Sequence, residues 1–246
     1  MGNLSNKSSE KIKSYKLSKK EVFQITADTY LIVFEGGSFD FDCGQFCMID
    51  VDSYGLTRKP FTLGKFEGNL AISVKIVGDG TRYIVETNEL IDILAPLGNP
   101  FMPGEPERAR ESNGVVVVAP SCFAEGYFIS QKFNVPLYVT SKTPFSEKFV
   151  EKFRDKNMEF IVGDSEFLGL TERLNDSDFD WIFVSGSKNM EKIAVKNLYK
   201  KIVYISLNEY MGCGIGACKS CAVESKYGIK HVCTDGPVFR GDEVCL

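Results

Sequence analysis

The chain has 246 residues, 43% hydrophobic and 25% charged, an ordinary globular composition with length enough for two compact domains. Its formal net charge of -4, without a basic block, argues against nucleic acid and anionic membranes as partners. No apolar run approaches the ~18 residues of a membrane span, and the N-terminus lacks the apolar core of a signal peptide, so a cytoplasmic protein off the membrane is expected.

Residues 1–14 are rich in Lys and Ser and read as a solvated tail. From 15 to 104 the pattern is mostly β. Short strands are predicted at 22–25, 29–34, 46–51, 60–66 and 70–77, divided by turns such as Glu67-Gly68-Asn69. Strands at this spacing suggest a small barrel or sandwich. A short helix is predicted over 81–86. Residues 105–113 are polar and charged, bounded by Gly104 and Gly114, and read as a linker opening the next domain.

From 105 to 205 the rhythm changes. Val115-Val116-Val117-Val118 is a continuous apolar run of the kind found in buried parallel strands. Helices are predicted at 124–133, 146–154 and 189–200, with strands at 136–140, 159–162, 181–184 and 202–205. This alternation argues a parallel sheet wrapped by helices.

Residues 206–246 are rich in Gly and Cys. Four of the eight cysteines cluster as Cys213-x4-Cys218-x2-Cys221-x11-Cys233. That spacing matches a plant-type [2Fe–2S] loop, in which four thiolates converge on two irons. Gly212, Gly214 and Gly216 would permit unusual φ values and let amides approach sulfur. Structural zinc is the competing reading, although zinc sites usually use two CxxC pairs and only Cys218 and Cys221 form one. Cytoplasmic thiols stay reduced, which argues against disulfides. Cys43, Cys47, Cys122 and Cys245 read as buried or incidental thiols. His231 is the single histidine, beside a cysteine set that is already complete.

The run 206–218, Ser-Leu-Asn-Glu-Tyr-Met-Gly-Cys-Gly-Ile-Gly-Ala-Cys, resembles the cluster loop of dihydroorotate dehydrogenase B electron-transfer subunits, as does Val232-Cys233-Thr234-Asp235-Gly236-Pro237-Val238-Phe239. The resemblance extends over most of the chain and places it in the ferredoxin-NADP reductase superfamily. It implies an FAD-binding β-barrel, a Rossmann-like nucleotide domain and a small C-terminal [2Fe–2S] domain. Lys59-Pro60-Phe61-Thr62 is similar to the family's Arg-Pro-aliphatic-Ser motif, which implies that Lys59 meets the FAD pyrophosphate and that Phe61 and Thr62 lie against the isoalloxazine. Lys supplies charge there without the bidentate fork of Arg; Arg58 stands beside it. Gly78-Asp79-Gly80-Thr81 is similar to Gly-Lys-Gly-Thr, which implies a phosphate approach at Gly78, Gly80 and Thr81. Gly44-Gln45-Phe46 and Leu97-Gly98-Asn99-Pro100-Phe101 also resemble family positions, and each reads equally as a turn beside a core aromatic.

The nucleotide domain departs from the family. Its glycine-rich turn is replaced by Ala119-Pro120-Ser121-Cys122-Phe123-Ala124-Glu125-Gly126, and Cys-Gly-Pro-x-Pro-Met by Ser185-Gly186-Ser187-Lys188-Asn189-Met190. Cβ atoms would crowd the phosphate path. Either an NAD(H) site persists with unusual residues, or the flavin exchanges electrons with another carrier.

The resemblance implies a subunit that is incomplete alone. Its partner would be an FMN-type dehydrogenase oxidising dihydroorotate in pyrimidine biosynthesis, in a hetero-oligomer, with electrons passing through the cluster to FAD and then to NAD+. A paralogue serving a ferredoxin- or sulfide-linked carrier and a non-enzymatic zinc module are the alternatives.

Overall fold

A computed structural model describes residues 12–36, 39–104, 113–154 and 157–246. The first half begins with strands β1 (Lys13–Thr26), β2 (Thr29–Glu35), β3 (Phe46–Ile49), β4 (Lys59–Thr62), β5 (Gly64–Phe66) and β6 (Asn69–Lys75). Helix α1 (Asp79–Glu86) and strand β7 (Ile91–Leu97) complete it. The seven strands form one antiparallel sheet, ordered β4-β3-β7-β1-β2-β6-β5, that curls into a nearly closed barrel. Its ends come together because β4 and β5 are consecutive: β4 pairs with β3, and β5 pairs with β6. The single strand predicted over 60–66 is therefore two, broken at Leu63. The β7 strand was not predicted, and β1 reaches much further back than 22–25, so Lys13 and Ser14 belong to a strand. Residues 1–11 of the predicted tail and 105–112 of the predicted linker lie outside the described residues.

The second half alternates. It contains β8 (Gly114–Val118), α2 (Phe123–Phe133), β9 (Leu137–Ser141), α3 (Glu147–Lys152), β10 (Met158–Val162) and α4 (Asp164–Asn175). Strand β11 (Trp181–Ser185), helix α5 (Lys188–Asn197) and strand β12 (Ile202–Ser206) follow. The cluster segment adds a hairpin of β13 (Ala222–Ser225) and β14 (Gly228–His231), a short helix α6 (Val232–Asp235) and strand β15 (Val238–Arg240). The sheet order is β10-β9-β8-β11-β12-β15, parallel except for β15. The apolar β8 is buried along its whole length because it lies inside this sheet with helices over it. The chain reverses direction across the sheet between β8 and β11, and such switch points open crevices at the carboxyl ends of strands. Among the described residues no helix is long and apolar enough to cross a membrane.

The two halves share a core. Phe101, at the end of the barrel, packs its ring against Phe133, Trp181, Phe183 and Tyr204 at centroid distances of 5.1–6.0 Å. Gly44 lies in the left-handed region (φ +83), and a Cβ there would sit 2.5 Å from the Phe101 Cβ. Gly98 similarly abuts Phe46 and Pro237. These two resemblance stretches thus serve the packing between barrel, sheet and cluster segment. Gly64 brings β5 so close to α2 that a Cβ would lie 2.2 Å from the Ala124 carbonyl oxygen.

Candidate functional site: a cleft between barrel and sheet, and a cysteine loop

One cavity of about 920 Å³ runs between the barrel and the carboxyl ends of the parallel strands. That is the upper end of the range for small-molecule sites. Lys59, Pro60, Phe61, Thr62, Gly78, Gly80 and Thr81 all line it. The two motifs, about twenty residues apart in sequence, meet because β4 and the start of α1 both come to this edge of the barrel.

Local chemistry holds each piece. The Thr81 hydroxyl accepts from the Val77 and Gly78 amides at 2.9 and 3.2 Å, fixing the turn into α1. Tyr54, in a short turn before β4, stacks on Tyr83 of α1 with centroids 5.1 Å apart and also lines the cavity. Arg58 is committed elsewhere: it reaches the Asp92 carboxylate at 2.7 Å and Asp50 at 3.4 Å. Lys59 and Lys75 are the barrel cations on the cavity wall, and Lys75 shares its charge with Asp28 at 3.4 Å. Tyr54, Ser73 and Lys75 carried no recognisable signal in the sequence.

The sheet wall is assembled from strand ends: Ala119 to Cys122 after β8, Thr140 to Thr143 at the end of β9, Gly163 and Asp164 after β10, and Gly186 and Ser187 after β11. Where the family has glycines, Pro120–Cys122 form a single tight turn before α2. Gly186 is retained where a Cβ would strike the Met190 sulfur at 2.5 Å. Cys122 is buried, which pushes its thiol up to about 12, and it accepts a hydrogen bond from the Asn208 amide at 3.6 Å.

Behind this wall sits a group that the sequence did not flag. Glu125, in the first turn of α2, has no solvent exposure. The Ser206 and Ser185 hydroxyls donate to its two oxygens at 2.8 and 3.0 Å, and the Thr62 hydroxyl lies near enough to favour the charged form. Burial outweighs these bonds and raises its pKa to about 7.

The cysteine loop adjoins the cleft. Gly214 and Gly216 adopt φ of +72 and +83, while Gly212 does not need a positive φ. A Cβ on Gly214 would strike Met48 of the barrel at 2.7 Å, and one on Gly216 would strike Thr234 at 2.7 Å. The Asn99 side chain donates to the Thr234 carbonyl at 2.8 Å, tying the loop to the barrel. Among the described residues no three His, Cys, Asp or Glu side chains converge as on a single ion. Two of the four thiols meet directly, and a backbone bond ties the other two cysteines together. The Cys221 and Cys233 sulfurs are 3.2 Å apart and buried, and the Cys218 amide donates to the Cys213 sulfur at 3.4 Å. The Ser220 hydroxyl lies 3.1 Å from the Cys218 sulfur and, with backbone amides, lowers its pKa to about 6, whereas burial raises Cys233 to about 11. His231 turns its ring to Asp235, 3.9 Å away. Cys43 and Cys47 are buried in the barrel and Cys245 is exposed.

An antiparallel barrel, a doubly wound parallel sheet and a cysteine-rich tail together have the fold of ferredoxin-NADP reductases with an appended cluster segment. Residues 208–245 match the iron–sulfur cluster binding domain of dihydroorotate dehydrogenase B. A dihydroorotate dehydrogenase B (NAD(+)) electron transfer subunit from Caldanaerobacter subterraneus is 30% identical over 95% of this chain and 98% of its own length. A Thermotoga maritima protein named for the same subunit is 45% identical over 93% of this chain and 97% of its own. The chain belongs to the family of dihydroorotate dehydrogenase B electron transfer subunits. The NADH-dependent reduced ferredoxin-NADP oxidoreductase structure shares its fold, with a TM-score of 0.78, 23% identity and coverage of 94% of this chain and 90% of that one. FAD and an iron–sulfur cluster are the cofactors that accord with this family and fold, and the match to a cluster-binding domain removes the zinc module from consideration.

Proposed function

We propose that this chain carries FAD in the cleft and one [2Fe–2S] cluster on Cys213, Cys218, Cys221 and Cys233, and relays electrons in the cytoplasm between a dihydroorotate-oxidising FMN partner and NAD or another carrier. Lys59 would face the pyrophosphate, Phe61 and Thr62 the flavin ring, and the glycine turn at Gly78 to Thr81 a phosphate. A flavin takes two electrons and releases them singly, which joins hydride chemistry to a one-electron cluster. The observation that carries this reading is the shared wall. Met211 and Pro237 of the cluster segment line the same cavity as the flavin motifs. Cys213 follows Met211 by two residues, a chain span of at most about 7 Å.

Anaerobically purified protein should be brown and yellow, with about two irons and two sulfides per chain and one FAD. Cys221→Ser should abolish the cluster while leaving the flavin, and Cys245→Ser should change neither. A preparation that retains its cluster in Cys221→Ser would overturn the ligand assignment. Reconstitution with the catalytic partner should restore dihydroorotate-dependent flavin reduction.

The exit carrier is the second question. Ser121 and Cys122 stand in the cavity where the family's glycines would admit pyrophosphate. This favours weakened nicotinamide binding and an alternative acceptor, such as a ferredoxin- or sulfide-linked protein. Anaerobic titration with NADH should then bleach the flavin slowly and only at high concentration. Rapid stoichiometric bleaching would restore NAD as the carrier.

A further inference from the structure

Among the described residues no cation pairs with Glu125, a fully buried carboxyl. The groups that act on it come from four elements and are neutral or acidic: Thr62 of β4, Ser185 of β11, Ser206 of β12 and, through space, Glu191 of α5. Cys43 and Cys122 also feel its charge. Lys132, on the same helix, is paired with Asp42 at 2.5 Å. A carboxylate in such a place carries a heavy desolvation cost, and the neutral acid does not. A purely structural role would be served better by an amide. Of the three hydroxyls that act on it, Thr62 is the one that lines the cleft, at the position assigned to the flavin ring.

Electrons that reach a flavin through an iron–sulfur cluster arrive one at a time and bring no proton, unlike a hydride. Reduction of the bound flavin by two such electrons needs at least one proton from the protein or from water. We propose that Glu125 is the proton store of the flavin cleft, passing its proton through the Thr62 hydroxyl to the flavin as electrons arrive from the cluster and recovering one from water afterwards. In this step the Glu125 O–H bond breaks and Thr62 Oγ1 gains that proton as it hands its own to the flavin. The Ser185 and Ser206 hydroxyls remain as donors to the carboxylate left behind. When the flavin later gives up a hydride, the stored proton leaves with it, and Glu125 is recharged from solvent. A group balanced near pH 7 can both give and regain a proton. Glu125 acts through Thr62 and not on the flavin directly, so it is a positioning residue in this relay.

The inference rests on FAD occupying the cleft, and its test separates the two. Visible spectra of the wild type, Glu125→Gln and Thr62→Val first report whether flavin is bound; a flavin-free wild type would sink the parent reading alone. With flavin bound, infrared difference spectra are recorded on electrochemical reduction. The wild type should lose a protonated-carboxyl band on reduction, and Glu125→Gln should lack that band. The rate of flavin reduction through the cluster should fall about tenfold per pH unit above pH 7. In Glu125→Gln it should be slow and independent of pH. Thr62→Val, which leaves Glu125 in place, should keep the carboxyl band in the oxidised protein but not lose it promptly on reduction. Flavin-free wild type should lose thermal stability between pH 4.5 and about 7, where the unfolded chain has released a proton that the buried acid still holds, and Glu125→Gln should lose less. An unchanged carboxyl band in the wild type, or a wild-type pH profile in Glu125→Gln, would overturn the proposal.

Discussion

The barrel wall of the cleft takes most of its lining from two short continuous stretches, Lys59–Thr62 and 77–81. The opposite wall takes a few residues from each of several strand ends, spread from Ala119 to Asn208. The barrel side retains recognisable sequence strings, with Lys for Arg as its main departure. The sheet side keeps its topology and Gly186 but not a glycine-rich turn after β8, and Glu125 lies buried behind it. A fold can hold a nucleotide-shaped space open through strand order alone, while the residues that decide what enters that space change.

The junction between the walls is where the largest effect is expected. Gly64 of β5 touches the backbone of Ala124, one residue before Glu125. A methyl there meets carbonyl atoms at 2.2 and 2.4 Å, which cannot swing aside as a side chain could. Gly64→Ala should cost about 3 kcal/mol by forcing the walls apart, read as a fall of roughly 10 °C in Tm. It should also weaken FAD retention. Gly68→Ala, at an open turn, would serve as the comparison: a strain confined to its left-handed φ should leave FAD untouched.

A smaller effect separates the two neighbouring cations on the barrel side. Lys59→Ala should weaken FAD binding about tenfold, a loss of ~1.4 kcal/mol for one charge-assisted contact. Lys59→Arg should tighten it by restoring the fork. Arg58→Ala should leave FAD affinity nearly unchanged while lowering Tm slightly, because Arg58 spends its charge on Asp92 and Asp50. Equal losses from Lys59→Ala and Arg58→Ala in fluorescence titrations of the apoprotein would mean that the two roles are misassigned.

What the sequence made legible follows the same division. The cluster cysteines and the barrel motifs are local strings, so their chemistry could be read without knowing the fold. Strand β7 escaped because Asp92 breaks its apolar run and Pro96 argues against an interior strand, yet it sits between β3 and β1. Helix α4 buries Phe167, Leu170, Thr171 and Leu174 at helical spacing, but Gly169, Thr171 and Asn175 depress its propensity. Glu125 was invisible for a different reason. Its serine partners lie 60 and 81 residues away in sequence, and only the parallel pairing of β8, β11 and β12 brings them to one place.

The sheet wall holds a second buried acid, and it supplies the finest test of how that wall tolerates charge. Glu191 of α5 is 2% exposed and accepts the Gly186 amide at 3.3 Å. Burial raises its pKa from 4.5 to about 8, with Glu125 and Glu209 adding to the shift and Lys188 opposing it. In the folded protein it therefore keeps a proton that the unfolded chain has already released above pH 4.5. Where the folded state binds more protons than the unfolded, stability falls as pH rises. The contribution of Glu191 is complete below pH 4.5 and is lost progressively up to about pH 8. Glu125 loses its own contribution earlier, by about pH 7. Glu191→Gln should therefore flatten the Tm profile most clearly between pH 7 and 8, where Glu125 no longer titrates, and least below pH 5. A Tm profile that keeps its wild-type slope over that upper interval would mean that Glu191 is already ionised in the folded chain, with the Gly186 amide and Lys188 outweighing its burial.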